Sequence, residues 1–64
     1  MVNKLKEIRE KKGLSQEALA EKSGVSRTTI SLLEGGKAGV AKTDTLTKLS
    51  DALEGKVTDI FFSA

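Results

Sequence analysis

The run VSRTTISLLEGG, Val25 to Gly36, sets four short hydroxyl side chains, Ser26, Thr28, Thr29 and Ser31, around one guanidinium, Arg27. Serine and threonine are weaker helix formers than alanine, leucine or lysine, yet Ile30 and Leu33 keep the three-residue spacing of a helix. On an arbitrary helix Arg27 and the threonines are plain solvated surface, so the residue types alone leave open whether their hydrogen-bonding groups have a use. Reaction is the poorer candidate. The chain holds no histidine and no cysteine, so it offers neither a nucleophile–base pair nor the usual zinc ligands. Its carboxylates are scattered over surface-like helical positions, and no glycine-rich phosphate loop is present. Neither an enzyme, a metal site nor a cofactor is expected, and no small-molecule site is evident.

The elements that must position these residues are short helices. Sixty-four residues allow one domain, 1–64, and a domain of this size buries only about 60% of the surface its unfolded chain exposes. With no disulfide to staple it, the core must come from Val, Leu, Ile, Ala and two Phe. Leu5 and Ile8, with Val2 before them, give NKLKEIREKKG the pattern of an amphipathic helix capped by Asn3 and ended at Gly13. LSQEALAEKSG follows, with Ser15 as N-cap, Glu17 in the first turn, Ala18, Leu19 and Ala20 among the buried positions, and Gly24 as the stop. Ser26 starts the third helix, which turns Ile30 and Leu33 inward and ends at Gly35-Gly36. After the small basic loop KAGVAK, Thr43 caps a fourth helix with Asp44 in its first turn and Leu46, Leu49, Ala52 and Leu53 as its stripe, ended by Gly55. VTDIFFSA has room for one or two further turns, with Thr58 as a cap. No segment alternates with period two, so five helices and no sheet are expected.

Charge is distributed unevenly. Residues 1–42 carry nine Lys/Arg against five Asp/Glu, whereas residues 43–64 carry two against four, for a formal net of +2. A basic two-thirds is compatible with one face meeting a polyanion, although solvated surface charge produces such counts as well. No apolar run approaches the roughly 20 residues that span a bilayer, and the N-terminus lacks a signal-peptide core. A soluble, cytoplasmic protein without a membrane partner is the expectation.

Two short helices joined through a glycine turn are the parts of a helix-turn-helix, whose second helix can enter the roughly 12 Å wide major groove of B-DNA. Here the likeness becomes specific: GLSQEALAEKSGVSRTTISLLEGGK resembles the helix-turn-helix of the phage repressor and Cro family, often called the XRE family. LKEIREKKG before it, and TDTLTKLSDAL and VTDIF after it, extend the resemblance over nearly the whole chain. It implies an all-α, compact, five-helix repressor-like DNA-binding domain with the helix-turn-helix at about residues 16–35. The implied function is sequence-specific binding of double-stranded DNA by a transcriptional regulator, repressor-like, with residues 27–34 as recognition helix.

The resemblance also implies roles for individual residues. Base edges are read from Arg27, Thr28 and Leu32. Arg27 can donate twice to guanine O6 and N7, and Thr28 can bond a base or pack its methyl on thymine. Leu32 stands where the family often has a polar residue, and either reads a thymine methyl or excludes water. Thr29 and Ser31 are base or phosphate neighbours or plain surface. Gln16 matches a position that contacts phosphate and braces the recognition helix, where a helix N-terminus suits an anion. Ser15 and Ser26 are N-caps first, with a phosphate contact compatible. Lys37 and Lys42 fall where the family places phosphate-binding groups, in a loop that is about one residue longer than usual and lacks its proline. Gly35-Gly36 replaces the family's Asn-Gly, which removes one side-chain contact to phosphate. Arg9 and Glu34 match a structural salt bridge. A homodimer, at least on DNA, is implied, with Phe62 either its contact or a second core residue beside Phe61. The competing class is a protein-interaction module, antitoxin-like or regulatory, whose DNA binding is secondary.

Overall fold

In chain order the elements are β1 (Val2–Asn3), α1 (Leu5–Lys11), α2 (Gln16–Ser23), α3 (Arg27–Glu34), α4 (Thr43–Ala52), α5 (Val57–Ile60) and β2 (Phe61–Phe62). The computed structural model describes residues 2–37 and 42–62, with Val2 and Phe62 described by their backbone alone. Residues 38–41 of the expected loop KAGVAK and the side chain of Phe62 lie outside the described residues. The architecture is all-α in class, and the helix-turn-helix occupies 16–34, against the about 16–35 that the family resemblance implies.

The two serines start their helices as their type suggests. Ser15 Oγ accepts from the Ala18 amide at 3.0 Å, and Ser26 Oγ from the Thr29 amide at 3.2 Å. Each satisfies one of the donors that a helix leaves unpaired at its N-terminus. Between the two helices Gly24 takes φ +77°, with open space where a Cβ would sit. Glycine is needed there for the left-handed backbone and not for room. Ser23 Oγ accepts from the Val25 amide at 3.1 Å and closes the turn.

The core forms where the apolar stripes meet. Leu5 of α1, Leu19 of α2, Ile30 and Leu33 of α3, and Leu49 and Leu53 at α4 are buried almost completely, with Val25, Ala52, Ile60 and Phe61 around them. Burying one such leucine or isoleucine stabilises by about 1.5–3 kcal/mol. Ala20 is half-buried and packs on this cluster. The Cα radius of gyration, 10.1 Å, is close to the roughly 10.7 Å that scaling predicts for a compact chain of this length. Ser50 is also buried, and its hydroxyl has no partner among the described residues.

Several local expectations are corrected. Val2–Asn3 pairs antiparallel with Phe61–Phe62, and the Lys4 amide extends the ladder to the Ile60 carbonyl at 2.8 Å. A small sheet therefore exists, and Val2 precedes the first helix instead of belonging to its stripe. Two residues per strand are too few to display period-two alternation. Lys4 holds the N-cap position of α1, although Asn3 still serves the helix start, its Oδ1 accepting from the Leu5 amide at 3.0 Å. Thr43 and Thr58 are not caps: Lys42 and Lys56 occupy those positions without side-chain bonds, and both threonines lie inside their helices. No helix among the described residues is long and apolar enough to cross a membrane.

The end of α4 also differs from its sequence pattern. The Glu54 amide bonds the Asp51 carbonyl at 3.1 Å and the Gly55 amide bonds the Ser50 carbonyl at 2.9 Å. This closure places the left-handed residue one step earlier than the glycine, at Glu54, φ +57°. At Gly55 the backbone is not left-handed, and a Cβ there would stand 3.2 Å from Ile60 Cδ1, a close contact that the isoleucine side chain would have to yield to. A left-handed non-glycine residue costs about 1–2 kcal/mol, from which the entropy of glycine recovers only part. Glu54→Gly is accordingly expected to stabilise the fold by about 0.5–1 kcal/mol, seen as a higher denaturant midpoint at an unchanged slope.

Candidate nucleic-acid interface

Recognition residues are useful only if the helix that carries them is held at a fixed angle. At the C-terminal end of α3, Glu34 accepts from Arg9 Nε at 2.6 Å through Oε2, and from Arg9 Nη2 at 3.2 Å and Gln16 Nε2 at 3.0 Å through Oε1. Arg9 Nη1 donates to the Leu14 carbonyl at 2.7 Å. The side chains of Arg9 and Glu34 are 9% and 6% exposed. One carboxylate thus joins α1 and the first residue of α2 to the last residue of α3, and Arg9 itself ties in the α1–α2 link. Asn3 Nδ2 adds a bond to the Leu33 carbonyl at 2.9 Å, which ties the N-terminal strand to the same end of α3.

The hydrogen bond to Glu34 is the largest influence on Arg9 and, with the nearby carboxylates of Glu34 and Glu10, raises its pKa against the opposing effect of burial. A raised basic group contributes its stability fully below its ordinary value and loses it only as pH climbs through the raised one. For an arginine that window lies above any working pH. Arg9 remains a cation wherever the protein is folded.

With its far end anchored, α3 turns one face outward. Arg27, Thr28, Ser31 and Leu32 line a shallow depression of about 350 Å³ together with Gln16 of α2. All three residues expected to read bases are there. Leu32, 38% exposed, is the exposed large apolar side chain among the described residues. Gln16 reaches the depression while its amide nitrogen is held by Glu34, which leaves Oε1 and one N–H to face a ligand.

Other expected contacts fall elsewhere. Ser15 lines a neighbouring depression of about 380 Å³, with Arg9, Gln16, Glu17 and Arg27. Thr29 is half-buried, and its Oγ1 accepts from the Ser26 hydroxyl at 2.9 Å, so these two side chains serve the start of α3 as much as its surface. Lys37 and Lys42 are exposed on either side of 38–41 and line neither depression.

One partner escapes sequence reasoning. Glu17 Oε1 accepts from Arg27 Nη1 at 3.4 Å, from the first turn of α2 to the first residue of α3. The available signal is opposite charge in the first turns of two helices that a glycine turn folds together. Charge pairing along one helix, three or four residues apart, does not reveal it.

A family model described as Helix-turn-helix matches residues 5–60. The chain belongs to the helix-turn-helix family. The match covers all five helices, and the phage repressor and Cro likeness of the sequence is of this family. This helix-turn-helix chain is also similar to the HTH-type transcriptional repressor RghR of Bacillus subtilis (strain 168), at 46% identity over 50 residues. That alignment takes in 78% of the present chain and 37% of the relative. The helix-turn-helix chain therefore spans well under half the length of that repressor. No solved structure matches it.

Proposed function

We propose that this chain binds double-stranded DNA sequence-specifically and regulates transcription, in a repressor-like manner, with Arg27–Glu34 lying in the major groove. The observation that carries this reading is the outward depression formed by Arg27, Thr28, Ser31 and Leu32 beside Gln16, on a helix whose far end is anchored by the buried Arg9–Glu34 pair. Arg27 donates to a guanine edge, Thr28 bonds or packs on the adjacent base, and Leu32 meets a thymine methyl. Gln16, Ser15, Ser26, Thr29 and Ser31 surround the backbone on one side, and Lys37 and Lys42 neutralise phosphates on the other. The chain acts as one domain, in the cytoplasm, without cofactor or catalysis.

Eight helical residues extend about 12 Å, and duplex base pairs stack about 3.4 Å apart. One recognition helix therefore reads only three or four base pairs. Useful specificity calls for two copies on a near-palindromic site with half-sites about one helical turn apart, and Phe62 of the C-terminal strand is the residue assigned to the contact between them. Selection of bound duplexes from a random pool tests the whole reading. A motif with two related half-sites is the expected result, while failure to enrich any motif would favour the protein-interaction module.

A further inference from the structure

We infer that Glu17 is a positioning residue for Arg27, holding its guanidinium toward the base edges and away from backbone phosphate. The inference rests on the DNA-reading role proposed for Arg27 and adds a specificity determinant to it.

Arg27 sits at the first residue of α3, where the positive end of the helix dipole makes a cation unwelcome. Glu17 sits in the first turn of α2, where the same effect favours its charged form. The two side chains meet at 3.4 Å while remaining 63% and 76% exposed. Exposed ion pairs contribute little to stability, so a purely structural role leaves this one without much effect. A role in recognition does not.

Arg27 borders both depressions, one shared with Thr28, Ser31 and Leu32 and the other with Glu17. On DNA, an arginine at this edge can turn either to a base or to the sugar–phosphate backbone. Phosphate contacts carry no sequence information. The Glu17 carboxylate repels phosphate and engages Nη1, leaving Nη2, Nε and the second Nη1 hydrogen to donate elsewhere. Glu17 thereby disfavours the uninformative contact and restricts the rotamers from which the informative one forms.

The test compares the wild-type chain with Glu17→Ala, Glu17→Gln, Arg27→Ala and the Glu17→Ala/Arg27→Ala double variant. Each is put through random-duplex selection and then titrated with a motif duplex and with an unenriched duplex. Arg27→Ala identifies the base pair that Arg27 reads. At that position Glu17→Ala is expected to lower the guanine preference about tenfold, within the range a bidentate arginine–guanine contact supplies. Its affinity for the unenriched duplex should meanwhile rise about threefold at low salt, because a like charge has left the phosphates. Glu17→Gln, which keeps an acceptor without the charge, should fall between, and the double variant should lose no more preference than Arg27→Ala alone. Unchanged base preference in Glu17→Ala, with only the denaturant midpoint shifted, would overturn the inference and leave Glu17 as a charge offset for the helix end. A uniform loss of affinity for both duplexes would overturn it too. In both cases the DNA-reading proposal survives, because wild type still enriches a motif that Arg27→Ala relaxes; a wild-type chain that enriches none overturns both.

Discussion

Glu34→Ala is expected to destabilise the chain by about 3–5 kcal/mol, because it leaves the Arg9 guanidinium buried, charged and without its partner. Two Arg9 donors and one Gln16 donor converge on the lost carboxylate, and the intrinsic basicity of a guanidinium rules out escape by deprotonation. A chain of 64 residues has roughly 3–10 kcal/mol of stability to lose. The variant should therefore be largely unfolded at 37 °C or close to it, as chemical denaturation followed by circular dichroism would record. Arg9→Met/Glu34→Leu is the informative companion. Replacing both partners by apolar side chains of similar volume removes the stranded charge and should regain most of the stability. Equal losses in the single and double variants would mean that the pair itself, and not an uncompensated charge, holds the helices together. Because Gln16 still loses its acceptor in the double variant, that protein should fold yet bind DNA less tightly.

The sequence reveals most of this arrangement where one residue's chemistry acts locally. Ser15 and Ser26 cap, Gly24 turns, and Leu19, Ile30, Leu33, Leu49 and Leu53 go inward, because each obeys a rule readable within a few positions. Arg9 and Glu34 lie 25 residues apart, and only the family likeness pairs them. The features that local rules miss depend on long-range geometry. Nothing in VN or FF announces a ladder, since the pairing of the termini is imposed by where α1 begins and α5 ends. Thr43 and Thr58 have the right chemistry for caps, but each helix begins one or two residues earlier than a threonine cap requires. At the end of α4 the residue that suits a left-handed turn, Gly55, and the residue in it, Glu54, differ by one, because the closing bonds of the Glu54 and Gly55 amides set the turn.

The same division runs through the interface. Arg27, Thr28, Ser31 and Leu32 share a face because Ser31 lies four residues after Arg27 and three after Thr28, and Leu32 four after Thr28, which is legible without coordinates. Gln16 joins them through tertiary structure, its amide committed on one side to Glu34. The structural network and the outward depression thus meet in one side chain. Substitutions in the first are transmitted to the second through position alone, so weakened DNA binding cannot by itself separate a reader from a strut.

Arg27→Ala and Lys37→Ala separate them when compared across salt and sequence. Both side chains are exposed, so each substitution should alter stability by no more than about 0.5 kcal/mol. Arg27 lines the depression on the outward face of α3, and its loss should cost about 1–3 kcal/mol of discrimination at one base pair per half-site, leaving the other positions of the motif intact. Lys37 follows α3 and lies outside the depression. Its loss should weaken every duplex alike and make the dependence of log affinity on log salt shallower by about 1 for each chain bound, the signature of one phosphate contact given up. The two profiles cross: one variant changes the motif at constant salt slope, the other changes the slope at constant motif. If Arg27→Ala instead binds all duplexes more weakly with its base preference intact, Arg27 is a phosphate ligand and α3 is seated in the groove by a different edge from the one assigned to it.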